Sequence, residues 1–160
     1  SDILFSNKYY LYIVIFIFID ICAKQFALTH LNEFEIQGFI PFVDLYLTFN
    51  SGIAFGFLDF DTRLLSNVLT IIGIFIVIYI FVLLKKEEDT SKKFALSMII
   101  GGALGNILDR IPDGYVTDFL YLNTTKFSFF IFNPADAFIS IGAILLIYFE
   151  LFKSEHVNKS

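Results

Sequence analysis

The chain has 160 residues, 57% of them hydrophobic, with 22 Phe, no Trp, a formal net charge of −5 and a mean hydropathy of +0.75. Soluble domains hold roughly 45–50% apolar residues, so this composition excludes an ordinary soluble domain and calls for one integral membrane domain. No basic patch suits nucleic acid, the single cysteine, Cys22, excludes a disulfide framework, and His30 and His156 lack a ligand-spaced partner for a metal.

The first apolar run, Tyr9 to Ile19, follows Lys8 and continues past Asp20 and Lys24 to Leu28. Its basic start and apolar centre look like a secretory signal, but Asp20 interrupts the run and no small-x-small cleavage site follows. An uncleaved transmembrane helix over residues 8–28 is expected. Asp20 and Lys24 are four apart, so they share a helix face and pair, which lowers the cost of both in lipid.

Residues 29–63 form a mixed, polar connection in which Arg63 is the only Lys or Arg. Within it, Ile36 to Phe49 is rich in β-branched and aromatic residues, with Gly38 and Pro41 as breakers, predicting short strands at the membrane surface. Phe55 to Leu65 reads as a short interfacial amphipathic helix. Asn50-Ser51-Gly52 makes a turn, or offers an asparagine that holds a substrate backbone.

Leu64 to Leu84 carries no charge over 21 residues and is a clean span, taken as 64–85. Two more helices follow, over 94–112 and 135–153. Lysines cluster at Lys8, at 85–93 and in the C-terminal tail, which by the positive-inside rule puts both termini and the 85–93 loop in the cytoplasm. Four spans result, with outward connections at 29–63 and 111–133.

The charge-free parts of the first, third and fourth helices are only 11, 15 and 13 residues long, against the roughly 20 that a span needs. Their spans must therefore include acids. Counted from Lys8, Lys93 and Glu150 at about 1.5 Å per residue, Asp20 falls roughly 18 Å across, Asp109 roughly 24 Å and Asp136 roughly 21 Å. Three helices thus bring a carboxylate to one layer, and Asp118, on the outward loop, can fold back to it. In the third helix Ser97, Gly101 and Gly105 form a small-xxx-small ridge for close helix approach, and Asp109 is the next position on it. Packing alone leaves Asn106, Asp109 and Arg110 unexplained. Asp109 and Arg110 pair locally, or Arg110 grips an anionic or carbonyl group of a ligand. Asp113-Gly114 is a turn signal, and Asn123-Thr124-Thr125 matches a glycosylation sequon, a pattern common by chance.

Asp118 and Asp136 have no basic neighbour in sequence. Asp136 follows Asn133-Pro134-Ala135, so it sits in the first turn of a helix, where proline is tolerated and the dipole favours an acid. Two readings stay open at this point: a loop acid plus a helix-capping acid, or a carboxylate dyad that shares one proton. Intramembrane acids also serve proton relays. A conduction path would need polar groups through the inner half as well, and residues 68–84 offer only Thr70 and Tyr79. A structural subunit without hydrolytic activity is the third class.

Five motifs together carry a resemblance: Asp20-x-x-x-Lys24, Asn50-Ser-Gly-Ile-Ala-Phe55, Gly101-Gly-Ala-Leu-Gly-Asn-Ile-Leu-Asp-Arg110, Val116-Thr-Asp118-Phe119 and Phe132-Asn-Pro-Ala-Asp136. Over nearly its whole length the chain resembles the lipoprotein signal peptidases (signal peptidase II), bacterial membrane aspartyl proteases. The resemblance implies an all-α integral membrane protein with four transmembrane helices, cytoplasmic termini, a small extracytoplasmic β-cradle and a short interfacial lid helix within 29–63. It implies that Asp118 and Asp136 are the catalytic dyad, with Asp20, Lys24, Asn50, Gly52, Asn106, Asp109, Arg110, Asn133 and Ala135 binding substrate or supporting the site. The implied substrates are diacylglyceryl-modified prolipoproteins, cut just before the lipidated cysteine, and the cyclic peptide globomycin is the expected inhibitor. Membrane lipid is the other expected partner; no metal or cofactor is implied. The expected location is the bacterial cytoplasmic membrane, with the site toward its outer face.

Overall fold

The computed structural model describes residues 2–52, 62–124 and 130–153. Four helices, α1 (Asp2–His30), α2 (Thr62–Lys86), α3 (Thr90–Asp113) and α4 (Pro134–Lys153), are each long and apolar enough to cross a membrane. Their outward faces carry Phe18, Leu64, Phe75 and Ile144, all more than 60% exposed. Hydrocarbon tails solvate such side chains as well as a protein core does, so the helices must be held together by close packing and polar contacts instead.

α3 is the helix the others pack on, with α4, α1 and α2 as its neighbours. Its most apolar window is 56% buried, against 22%, 6% and 11% for α1, α2 and α4. Its glycines explain how it can approach two of them, α1 and α4, so closely. A Cβ on Gly101 would stand 2.6 Å from Phe16 Cβ of α1, one on Gly102 would run into the Ala135 carbonyl oxygen of α4, and one on Gly105 would stand 2.6 Å from Asp20 Oδ2. Ser97, buried on the same ridge, returns its hydroxyl to the Lys93 carbonyl at 2.8 Å. At the lysine-rich end an apolar cluster of Tyr9, Ile13, Leu84, Leu96 and Ile100 joins α1, α2 and α3.

Both ends of α3 are capped. Asp89 accepts from the Ser91 and Lys92 N–H groups, two of the orphan donors of a helix start. At the other end Gly114 takes a left-handed conformation, φ 89°, and its N–H bonds the Arg110 carbonyl. Ser66 of α2 donates to the Gly114 carbonyl at 2.7 Å, tying that turn to a second helix.

The two connections at the other end of the bundle build one antiparallel sheet, β1 (Ile36–Ile40), β2 (Val43–Asn50), β3 (Val116–Leu122) and β4 (Phe130–Phe132), in the order β1-β2-β3-β4. The sequence reading placed strands in the first connection only; β3 and β4 come from the second. β2 and β3 are in register at Asn50 opposite Val116 and Thr48 opposite Asp118, with a bulge between Leu45 and Thr48. Leu47 and Phe119 pack on Ala27 of α1, which fixes the sheet over the helix end. Phe34 and Phe42, at φ 62° and 71°, adopt a left-handed conformation that is rare for a bulky residue. Each is held by a backbone bond, Phe34 N–H to the Leu47 carbonyl and Asn123 N–H to the Phe42 carbonyl. The amide of Asn123, first residue of the sequon, donates to Asp44 Oδ2 at 2.8 Å. Most of the interfacial helix expected at 55–65 lies outside the described residues; 62–65 open α2.

The contact at Gly102 is against backbone, which cannot swing aside. Gly102→Ala is therefore expected to cost about 1–3 kcal/mol, the usual range for overpacking, read as a lower thermal unfolding midpoint in detergent. Gly38→Ala, with nothing within 4 Å of the added atom, is expected to leave the midpoint in place. Equal midpoints for the two variants would mean that the α3–α4 approach is not close-packed.

Candidate active site

Lys24 of α1 is buried, with 4% of its surface exposed. Its ammonium lies 2.7 Å from Asp20 Oδ2, 3.3 Å from Asp109 Oδ2 and 2.9 Å from Asn106 Oδ1. Two helices deliver these partners: α1 gives Asp20, one turn before Lys24, and the last turns of α3 give Asn106 and Asp109. Asp20 also reaches α4, where its Oδ1 accepts the Ala135 N–H at 2.8 Å. Ala135 contributes backbone here, and a carboxylate from one helix caps the start of another.

An ammonium has donors and no acceptor, so Lys24 obliges Asn106 to present its carbonyl oxygen. The Asn106 amide nitrogen is then turned to Asp136 Oδ1, at 2.8 Å. Asn133 obeys the same logic. Its Oδ1 accepts the Asp136 N–H at 3.0 Å, so its Nδ2 donates to Asp118 Oδ1 at 2.7 Å and to Asn106 Oδ1 at 3.1 Å. Asn50 is the third case. Its Oδ1 accepts the Gly52 N–H at 2.7 Å, closing an Asx turn, and its Nδ2 donates to Asp118 Oδ2 at 3.2 Å. Gly52 supplies that N–H from φ 101°, where a side chain would be strained. The turn and the contact with the acid, alternatives on sequence alone, occur together. Three asparagines are thus locked carbonyl-outward, each with its amide nitrogen on Asp118 or Asp136. The Asn133 backbone N–H adds a donor to Asp136 Oδ2 at 3.2 Å.

Asp109 does not pair with Arg110. It bonds Lys24 and accepts from Thr117 of β3, from the backbone N–H at 2.7 Å and the hydroxyl at 3.4 Å. The reason is helix geometry: consecutive residues point to different faces of a helix, so Asp109 faces α1 and β3 while Arg110 turns elsewhere. The Arg110 guanidinium is in electrostatic reach of Asp118, Asp109 and Asp136, and its Nε is buried with no hydrogen-bond partner among the described residues. Thr117 was missed by the sequence reading. It lies inside a quoted motif, but a neutral hydroxyl gives no signal of its own. The walls were missed as well: Asp118, Asp136 and Asn50 share a cavity of about 330 Å³ with Phe130, Ile131, Ile139 and Ser140. Among the described residues, no group of three or more His, Cys, Asp or Glu is placed to hold a metal ion.

Asp118 is 4% exposed, and burial followed by the nearby Asp136 charge raises its pKa to about 6, against the opposing donors of Asn50 and Asn133. A carboxyl group that titrates at about 6 beside a second acid can both give up and take back a proton close to neutral pH. The site therefore holds paired carboxylates at the wall of one open cavity, fixed amide donors on both, and the Arg110 guanidinium in electrostatic reach.

Comparison with known proteins follows the same lines. Residues 12–152 match the family profile described as Signal peptidase (SPase) II. The lipoprotein signal peptidase of Pelagibacter ubique (strain HTCC1062) is 39% identical, over 91% of this chain and 90% of its own length. That of Polynucleobacter necessarius subsp. necessarius (strain STIR1) is 38% identical, over 92% and 91%. Among solved structures, a bacterial membrane enzyme determined by the in meso method at 2.3 Å resolution superposes with a TM-score of 0.74 at 29% identity, covering 96% of this chain and 92% of that one.

Two outcomes follow from the geometry. Lys24→Met leaves Asp20 and Asp109 without their counter-ion, so a loss of about 3–5 kcal/mol is expected, as for other broken buried pairs; Lys24→Met with Asp20→Asn is expected to recover part of it, both read by thermal unfolding. A folded-state pKa raised above the unfolded value means that the folded state binds the proton more tightly. The Asp118 contribution to stability is therefore full below about pH 4 and is lost as pH rises to about 6. Asp118→Asn is expected to flatten that part of the stability–pH curve; a variant curve parallel to wild type would place the titration elsewhere.

Proposed function

Since the chain belongs to the signal peptidase II family and so is a membrane peptidase that processes lipoproteins, we propose that it is an aspartyl endopeptidase whose dyad is Asp118 and Asp136. The observation that supports this most directly is the set of three asparagines with their amide nitrogens on these two carboxylates at the wall of one cavity. In this reading the pair shares a single proton. The ionised carboxylate takes a proton from a water between the two acids, and that water attacks the scissile carbonyl. The protonated partner polarises the carbonyl oxygen and then gives a proton to the leaving amine. Arg110, whose Nε has no hydrogen-bond partner among the described residues, holds a substrate carbonyl or the developing oxyanion. Asp20, Lys24 and Asp109 take no part in proton transfer; they set the orientation of Asn106 and the start of α4.

The proposed substrate is a diacylglyceryl-modified prolipoprotein, cut just before the lipidated cysteine. A dyad near the membrane boundary suits it, since the acyl chains remain in the bilayer while the peptide bond reaches water. By the distribution of lysines, the site lies on the outer side of the bacterial cytoplasmic membrane. Globomycin is proposed to block the enzyme by occupying the space between the two aspartates.

Purified protein incubated with a lipid-modified prolipoprotein is expected to release the signal peptide, seen as a gel shift. Asp118→Asn and Asp136→Asn are each expected to lower the rate by about 10²–10⁴-fold, the usual worth of a general acid or base, while remaining folded by thermal unfolding. Near-normal cleavage by either folded variant would remove that residue from the dyad.

A further inference from the structure

A second cavity, of about 330 Å³, lies at the opposite end of the bundle, where α1, α3 and α4 meet. Its lining changes character along its length. Lys8, Thr90 and Ser91 stand at one side, and Tyr12, Phe94 and Phe149 form an aromatic wall. Tyr9 sits between, itself buried at 5% exposure. The Lys8 ammonium lies 5.0 Å from the Tyr9 ring centroid and that of Lys93 5.5 Å from it, so two cations converge on one ring. Asp89 caps α3 through the Ser91 and Lys92 N–H groups, and Glu150 is paired with Lys92. Lys93 has no ion-pair partner among the described residues.

One cation and two hydroxyls in the lining, a second cation against the Tyr9 ring, and an aromatic slot match an anion that carries a hydrocarbon chain. The position settles its source. The cavity lies at the lysine-rich ends of the spans, beside Lys85, Lys86, Lys92 and Lys93, which is where phospholipid headgroups sit. We propose that this cavity is a binding site for one anionic phospholipid, with its phosphate between Lys8 and Lys93 and an acyl chain along Tyr12, Phe94 and Phe149. The site shares no residue with the aspartate cavity, and the inference does not rest on the peptidase reading.

The test uses the full chain in a neutral detergent, with phosphatidylglycerol, phosphatidylcholine of the same acyl chains, and inorganic phosphate as probes. Lipid retained in native mass spectrometry and the thermal unfolding midpoint are the readouts. Phosphatidylglycerol is expected to be retained and to raise the midpoint more than phosphatidylcholine, and phosphate to do neither. The Lys8→Gln, Lys93→Gln double variant is expected to lose phosphatidylglycerol retention by about fivefold per lysine, and to keep the wild-type midpoint in lipid-free detergent. Lys85→Gln with Lys86→Gln, at the same boundary but outside the cavity, is expected to keep it. If the double variant fails to fold, Lys93→Gln alone carries the test at about a fivefold loss. Equal retention of the two lipids overturns the proposal, as does an equal loss in the Lys85 and Lys86 variant, which would mean a diffuse surface charge. A midpoint shift by inorganic phosphate matching that of the lipid would make it a free-anion site, which also overturns it.

Discussion

The ammonium of Lys24 is the constraint from which the site's geometry follows. A buried group that can only donate must be met by acceptors, and it is met by Asp20, Asp109 and the carbonyl end of Asn106. That last contact is the informative one. An asparagine side chain is nearly symmetric in shape, so packing alone leaves its two ends interchangeable. A cation on one side removes the freedom, and the amide nitrogen must then face Asp136. Orientation set at Lys24 in α1 is thereby passed through α3 to an acid on α4. Backbone N–H groups do the same work for Asn133 and Asn50. The result is a set of donors that, in the proposed reaction, need no reorganisation when charge moves between the carboxylates, the condition under which fixed dipoles are most useful.

This arrangement is available only because α3 has almost no side-chain bulk where it meets α1 and α4. The space that a Cβ on Gly105 would fill is held by Asp20 Oδ2. Packing and chemistry are therefore the same feature at that point: the glycine that lets α1 approach also lets the carboxylate sit between helices and cap α4 at Ala135. In a bilayer, where apolar contact with a neighbouring helix gains little over contact with lipid, such polar links contribute a larger share of helix association than they would in a soluble bundle.

Much of this was legible in the sequence, for identifiable reasons. Spans announce themselves by length and hydropathy, so four helices were expected, although the helices run past the apolar stretches: α1 covers Asp2–His30 where 8–28 was expected. A span boundary follows hydrophobicity, whereas a helix ends only where its backbone bonds do. Asp20, Asp109 and Asp136 shared a layer by simple counting, because charge in lipid is too costly to be scattered. The strands of the second connection were not foreseen. Val116–Leu122 opens with two β-branched residues and carries two aromatics, but the aspartate within it drew it into a site motif, and strand pairing depends on a partner some seventy residues away in the chain. Which partner Asp109 would choose was equally out of reach. Adjacent Asp and Arg look like a pair in one dimension; in three, Lys24 and Thr117 are nearer.

The bond from Thr117 to Asp109 explains how a residue on a sheet can work beside one on a helix. Asp136 is placed by the first turn of α4, which the Asp20 cap holds rigidly. Asp118 belongs to β3, and a strand on a surface sheet has no such anchor of its own. Three ties give it one. Thr117 is bonded to the end of α3 by backbone and hydroxyl, Phe119 is packed with Leu47 on Ala27 of α1, and Asn50, opposite Val116 on β2, donates to the acid itself. The residues on either side of Asp118 are thus fixed to two different helices, both of which also contact Lys24. The two carboxylates, carried by different kinds of element, are referred to a single buried cation, and a shift of β3 relative to α4 would have to break the bonds of Thr117 to Asp109 and of Asn133 to Asp118 before it could separate them.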